Sequence, residues 1–140
     1  DVDHFKRFND RFGHAVGDEV LRKVAACLER NRPSAGHAAR IGGEEFVLLL
    51  PLDQRAAFLA CESMRLAIEQ LDYADADPIT VSIGMATMKT GEATGDLLRR
   101  ADRALYRAKA AGRDRCEIDE ADGEVARQIA PPALKLVPRR

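Results

Sequence analysis

No run of apolar residues in this chain approaches the roughly 18 that a membrane-spanning helix requires, so the stretch reads as soluble. No secretory leader is visible in it either. An excess of either charge is also lacking. The net charge of −1 argues against general attraction to nucleic acid or to an acidic membrane surface. Any anionic ligand must then be held by a local cluster of donors. Cysteine is sparse, and Cys27, Cys61 and Cys116 lie far apart without metal-ligand spacing. Cys27 and Cys61 fall in apolar helical patterns, where a free thiol behaves as a small hydrophobe, and a reducing cytoplasm is the simplest setting. Internal repeats are absent.

What is present is an ordinary globular balance. Hydrophobic residues make up 46% and charged residues 32% of 140 residues, enough for one domain with a real core. Residues 3–12 read as a short helix capped by Asp3, with Phe5, Phe8 and Phe12 on one face and Gly13 as its stop. A second helix is expected from 17 or 18, capped by Asp18, to 29, with Val20, Leu21, Val24, Ala25 and Leu28 on one stripe. Residues 37–51 read as a β-hairpin around Gly42-Gly43. A third helix, capped by Asp53, follows with Ala57, Cys61, Met64, Ile68 and Leu71 at helical spacing.

Residues 79–86 alternate as a strand. A last helix over 94–111 is expected to turn Leu97, Leu98, Ala101, Leu105 and Ala108 inward and to end at Gly112. Past Glu117 the periodicity fails, so 1–117 reads as the domain and 118–140 as a disordered tail. The mixture predicts an α+β fold, a mostly antiparallel central sheet flanked by helices.

The segment Arg40-Ile41-Gly42-Gly43-Glu44-Glu45-Phe46 places two carboxylates at the tip of a tight reversal, where glycines permit positive φ and oxygen ligands can hold a hard cation. Taken alone, this spacing favours an ordinary hairpin turn with solvated acids, because such turns are common. Asp1-Val2-Asp3 is a second acidic pair, at the start of a helix. Asp1 is placed to hold a metal that bridges a phosphate and a hydroxyl, and Asp3 to cap the helix.

Lys109 and Arg113 stand four residues apart, either complementing a helix dipole or clamping phosphate. Asn9 and Asp18 offer the donor and acceptors that match a guanine edge, or serve as an exposed helix residue and a cap. His14 reads as a structural hydrogen-bonder beside the glycine turn.

Read in order, these motifs closely resemble a GGDEF domain: Asp1-Val2-Asp3-His4-Phe5-Lys6-Arg7-Phe8-Asn9-Asp10, Phe12-Gly13-His14, Gly17-Asp18-Glu19, the Gly42-Gly43-Glu44-Glu45-Phe46 turn, Ser82-Ile83-Gly84, and Ala101-Asp102 through Tyr106-Arg107-Ala108-Lys109 to Gly112-Arg113-Asp114. The resemblance runs from Asp1 to about Cys116. It implies a palm-like, ferredoxin-like nucleotide cyclase fold and a diguanylate cyclase that condenses two GTP into cyclic di-GMP and two pyrophosphates.

It further implies magnesium, with manganese as an alternative, held by Asp1, the carbonyl of Val2, and Glu44. Glu45 would join the metal site or help deprotonate the attacking 3′-hydroxyl. Asn9 and Asp18 would read guanine. Backbone N–H groups around Phe5 and Lys6, with Lys109 and Arg113, would hold the terminal phosphates. The resemblance also implies a homodimer in which two GTP molecules face each other, a sensor domain in the parent protein, and a cytoplasmic setting.

Three departures stand out, of which Asp114, in place of the asparagine often seen in the family after the Gly-Arg pair, is expected to be harmless. The family's inhibitory Arg-x-x-Asp motif aligns with Pro33-Ser34-Ala35-Gly36, so no such product site is expected. The family also places an apolar strand directly before Asp1, so the chain is expected to be a fragment whose isolated stability suffers. Two other readings are a non-catalytic module that binds GTP or cyclic di-GMP and a purely structural dimerisation domain. The intact acids and cations disfavour both.

Overall fold

The computed structural model describes residues 1–73 and 78–122. Helix α1, Phe5–Phe12, buries Phe5 and Phe8 and ends at Gly13, whose φ of 86° and N–H bond to the Asn9 carbonyl form the stop. The helix is not capped by Asp3. His4 occupies the cap in a left-handed conformation without a side-chain bond, because Asp3 is turned into the protein. Helix α2, His14–Asn31, begins directly after Gly13, so Asp18 lies inside it on an exposed face and does not cap it. Its stripe of Val20, Leu21, Val24 and Leu28 is buried with Cys27 added, while Ala25 is exposed.

Strands β1, His37–Arg40, and β2, Phe46–Leu49, pair antiparallel with Arg40 opposite Phe46. Helix α3, Gln54–Glu69, starts as expected at Asp53, whose carboxylate accepts the Ala56 N–H at 2.8 Å. Strand β3, Ile83–Met85, is shorter than expected. Residues ahead of it bond instead to the chain start, through a bridge between Val2 and Val81. Helix α4, Thr94–Ala110, is followed by β4, Cys116–Ile118, which pairs parallel to β3, and by a 3-10 turn at Glu120–Asp122. Packing therefore extends to Asp122, and residues 123–140 of the expected tail lie outside the described residues.

The chain start joins the two strand pairs. Val2 N–H donates to the Glu44 carbonyl at 3.1 Å, Asp3 N–H donates to Thr80 O at 2.9 Å, and Ser82 N–H donates to Asp1 O at 3.0 Å. Asp1-Val2-Asp3 is thus threaded between the tip of the β1–β2 hairpin and the approach to β3. This is the α+β arrangement expected, antiparallel except at the β3–β4 edge.

One core cluster packs Phe5 and Phe8 of α1 and the α2 stripe against Met64 and Ile68, which are fully buried. Each such side chain stabilises the fold by about 1.5–3 kcal/mol. A second cluster gathers Ala57, Cys61, Met85, Cys116 and Ile118. The cysteines there are free and buried, as small hydrophobes.

The inward face of α4 is close to the expected one: Ala108 is fully buried and Leu97, Ala101 and Leu105 are half-buried, while Leu98 is 40% exposed and Arg100 and Ala104 are buried beside them. Close approach to β3 selects this face. A Cβ on Gly84 would stand 2.2 Å from the Ala101 carbonyl oxygen and 2.2 Å from the Leu105 nitrogen. Only glycine fits at position 84, where helix and strand backbones approach so closely.

Candidate active site

The hairpin tip is closed without glycine's special freedom. Among the described residues the glycines with positive φ are Gly13, Gly91 and Gly112, so Gly42 and Gly43 turn in ordinary conformations. The tip is held by the Ile41 N–H bond to the Glu45 carbonyl at 3.0 Å. Arg40 adds donors, Nη2 reaching the Gly43 carbonyl at 2.7 Å and Nε reaching Gly42 O at 3.1 Å. What the turn needs at Gly42 is space: a Cβ there would meet Glu45 Oε2 at 2.5 Å. Glu45 therefore folds back over the tip and is exposed, while Glu44 is half-buried and carries the carbonyl that binds Val2.

Asp1, Val2 and Glu44 line one cavity of about 250 Å³ with Phe5, Lys6, Lys109 and Arg113, and His4 and Arg7 complete its wall. The expected metal and phosphate residues thus come together from four separate parts of the chain. Lys109 Nζ sits 2.9 Å from Asp1 Oδ1, with the lysine side chain 34% exposed and that of Asp1 8% exposed. Helix α1 adds a second cationic feature. Its first bond runs from Phe8 N–H to His4 O, so the N–H groups of Phe5, Lys6 and Arg7 precede it without intrahelical partners. An uncapped helix start opening on a cavity is suited to an anion such as phosphate.

The donor set also fits a hard divalent cation. Two carboxylates and a carbonyl are few ligands, and among the described residues no group of three or more His, Cys, Asp or Glu side chains is arranged to hold an ion alone. That is the pattern of magnesium-type sites, where one or two carboxylates share the ion with water and substrate phosphates. Residues Asp1, Val2 and Glu44 would hold it.

Asn9 lies at the α1–α2 contact, against Gly17, and neither it nor Asp18 lines the cavity of Asp1 and Glu44. Gly17 is buried against Asn9: a Cβ there would lie 1.8 Å from Asn9 Oδ1 and 3.1 Å from the Phe5 ring. Asn9 Oδ1 is buried with no hydrogen-bond partner among the described residues. A buried acceptor left unpaired costs about 1–3 kcal/mol, which a ligand donor would recover. Asp18 follows Gly17 on the exposed side. His14 is exposed at the first residue of α2.

Two features were not legible in the motifs. Gly17 is the space that lets Asn9 seat against α2, and a glycine inside a helical pattern is the signal that points to it. Asp3 is buried and accepts from Thr80 Oγ1 at 2.8 Å, Ser82 Oγ at 2.7 Å and Asp114 N–H at 3.2 Å. Two hydroxyls one residue apart in a strand facing an acidic segment were its sequence trace.

The α+β fold and this cavity define a palm-like nucleotide cyclase domain. The family model described as "Diguanylate cyclase, GGDEF domain" matches residues 1–115, and the chain belongs to the GGDEF family. Diguanylate cyclase DgcP of Pseudomonas aeruginosa is 45% identical over 122 residues, covering 84% of this chain and 18% of that protein. This chain therefore spans less than a fifth of that relative's length.

Among solved structures, the GGDEF domain of DgcB from Caulobacter crescentus in complex with c-di-GMP superposes with a TM-score of 0.81 at 38% identity, covering 86% of this chain and 74% of that one. The active GGEEF domain of a diguanylate cyclase from Vibrio cholerae matches with a TM-score of 0.79 at 34% identity, covering 85% and 78%.

Proposed function

We infer that this domain is the catalytic part of a diguanylate cyclase, condensing two GTP into cyclic di-GMP and two pyrophosphates. The observation that carries this reading is the single cavity where Asp1 and Glu44 meet Lys109, Arg113 and the uncapped start of α1. Carboxylates, phosphate cations and free N–H groups are the set that phosphoryl transfer needs, since catalysis there is mainly positioning and charge neutralisation.

Asn9 and Asp18 read the guanine edge. The N–H groups of Phe5 and Lys6, with Lys109 and Arg113, hold the terminal phosphates and neutralise the departing pyrophosphate. Asp1, the Val2 carbonyl and Glu44 hold magnesium, or manganese, which when bound lowers the pKa of the attacking 3′-hydroxyl. Glu45, exposed at the tip beside the cavity-lining Glu44, would accept the hydroxyl proton or join the metal site. One protomer presents one GTP, so two protomers face each other for the reaction.

The setting is cytoplasmic, in a longer protein whose other domains sense the input. Among the described residues no helix is long and apolar enough to cross a membrane.

Product feedback through the usual inhibitory motif is absent from this reading. The Pro33-Ser34-Ala35-Gly36 loop offers no Arg-x-x-Asp pair, and the neighbouring Arg32 is engaged with the Gly36 carbonyl at 2.7 Å and with Glu29. Tight cyclic di-GMP binding that disappears in Arg32→Ala would overturn this point.

The direct test incubates the full-length protein with GTP and magnesium. Wild type is expected to form cyclic di-GMP, and Glu44→Ala to lose at least about a hundredfold in rate. Equal product from both proteins would sink the assignment of Glu44.

A further inference from the structure

The backbone that delivers Arg113 to the cavity is an unusual one. Gly112, Arg113 and Asp114 follow one another at φ 113°, 65° and 48°, a left-handed run in which two residues lack glycine's freedom. Such a run persists only where its surroundings fix it. Here it is fixed from two directions.

From the chain start, the buried carboxylate of Asp3 accepts the Asp114 N–H at 3.2 Å, and Arg113 Nε lies 4.0 Å from its other oxygen. Thr80 and Ser82 hold that carboxylate in place through their hydroxyls. From the opposite side, Arg65 of α3 donates through Nη1 to Asp114 Oδ1 at 2.6 Å. Arg65 is itself held by Glu62, whose Oε1 also accepts the Cys116 N–H at 3.1 Å where β4 begins. The backbone and the side chain of Asp114 are therefore pinned by separate charged groups, while the Arg113 side chain remains 39% exposed at the cavity.

We propose that Asp3, Arg65 and Asp114 are positioning residues that hold this left-handed turn so that the Arg113 guanidinium addresses the terminal phosphates of the bound nucleotide. The assignment rests on the GTP reading above. It differs from a purely architectural role in one respect. An architectural anchor supports the whole domain, whereas a positioning device acts through Arg113 and is felt only by ligands that carry the outer phosphates.

The test measures binding of GMP and of a GTP analogue with a methylene bridge between the α- and β-phosphates, with magnesium present, to the full-length protein. Four variants are compared with wild type: Asp114→Asn, which keeps a residue tolerant of the left-handed region, Arg65→Gln, Arg113→Ala, and the Asp114→Asn/Arg113→Ala double variant. Asp114→Asn and Arg65→Gln are each expected to weaken the triphosphate analogue about tenfold, as loss of a well-aimed charged hydrogen bond does. GMP affinity, which reports a folded guanine locus, should stay within about twofold. In the Arg113→Ala background the effect of Asp114→Asn should vanish, the non-additivity expected of residues acting through one another.

Additive losses in the double variant, or equal losses for GMP and the triphosphate, would overturn the proposal. If wild type bound the two ligands equally, the triphosphate reading of the cavity would itself fall, and this assignment with it.

Discussion

Asn9 shows how much of the site depends on a residue that makes no chemistry of its own. Its amide packs over Gly17, where even one methyl group would collide with Oδ1. Gly17→Ala should therefore displace Asn9, with an overpacking cost of about 1–3 kcal/mol that alanine's better helix propensity offsets by about 1 kcal/mol. The expected result is a loss of discrimination between GTP and ATP of about tenfold, read from competitive binding at a temperature where the variant is folded. Unaltered discrimination in a folded variant would remove Asn9 from the guanine locus.

At this scale the sequence was informative about residue type and poor on burial. Asp1, Glu44, Lys109 and Arg113 were recognisable because acids and cations recur at motif positions, and they do converge on one cavity. Asp3 was read as a helix cap, since capping is what an aspartate before a helix usually does. Its real partners, Thr80, Ser82 and Asp114, lie far along the chain, and local pattern carries no information about such contacts.

Among the elements, α4 links the cavity to the far end of the domain. Its C-terminal end carries Lys109, and nearer its N-terminal end Arg100 is buried among three carboxylates. Arg100 Nε donates to Asp119 Oδ2 at 3.0 Å, Nη1 donates to Glu92 Oε2 at 3.0 Å, and Nη2 bonds Asp122. The side chains of Asp119 and Asp122 are 2% and 5% exposed, so removing the cation strands buried negative charge. Arg100→Met is expected to cost about 3–5 kcal/mol in chemical unfolding.

Acidity should reveal the same cluster. Burial alone would raise the Asp119 carboxyl, but bonds from Arg100 and the Ala121 N–H, with the charge of Arg103, outweigh it and hold its pKa below the ordinary 3.8. Glu92 is likewise held below the ordinary 4.5, first by the Lys89 N–H and then, against its partial burial, by Arg100. Carboxyls depressed in the folded state contribute stability that is present above their ordinary values and lost as pH falls through the folded ones. Wild type should thus lose stability below about pH 4.5, and Arg100→Met should show a shallower dependence on pH over that range. Parallel curves for the two proteins would contradict the account of this cluster.

The helices were legible because their apolar spacing is long enough to set a face: α2 and α3 bury nearly the stripes expected. The inward face of α4 was legible in the same way, through Ala101, Leu105 and Ala108, but Leu98 was misplaced and the buried Arg100 was missed because a buried cation leaves no apolar spacing to read. Strand β4 escaped notice because three residues, Cys116–Ile118, give no alternation to read, and its pairing with β3 is entirely long-range.

For the whole molecule, the mixture of helices and strands and the order of motifs led to the family, and the threading of Asp1-Val2-Asp3 between two strand pairs explains why the site forms where it does. Asp1 and Glu44 sit where the hairpin tip and the chain start are hydrogen-bonded together, so the proposed metal site would be a property of the assembled strands. On the proposed reading one protomer would present one nucleotide, and joining two nucleotides into a ring would require a second copy facing the first. A protomer alone should bind GTP and turn it over very slowly.

The most direct measurement of the central claim follows cyclic di-GMP and pyrophosphate together, in GTP and magnesium, as the concentration of the full-length protein is raised. The account predicts one cyclic dinucleotide for about every two pyrophosphates, with activity per protomer rising as dimers form. Pyrophosphate released without cyclic product, or activity per protomer that is constant down to concentrations at which the protein is monomeric, would contradict it.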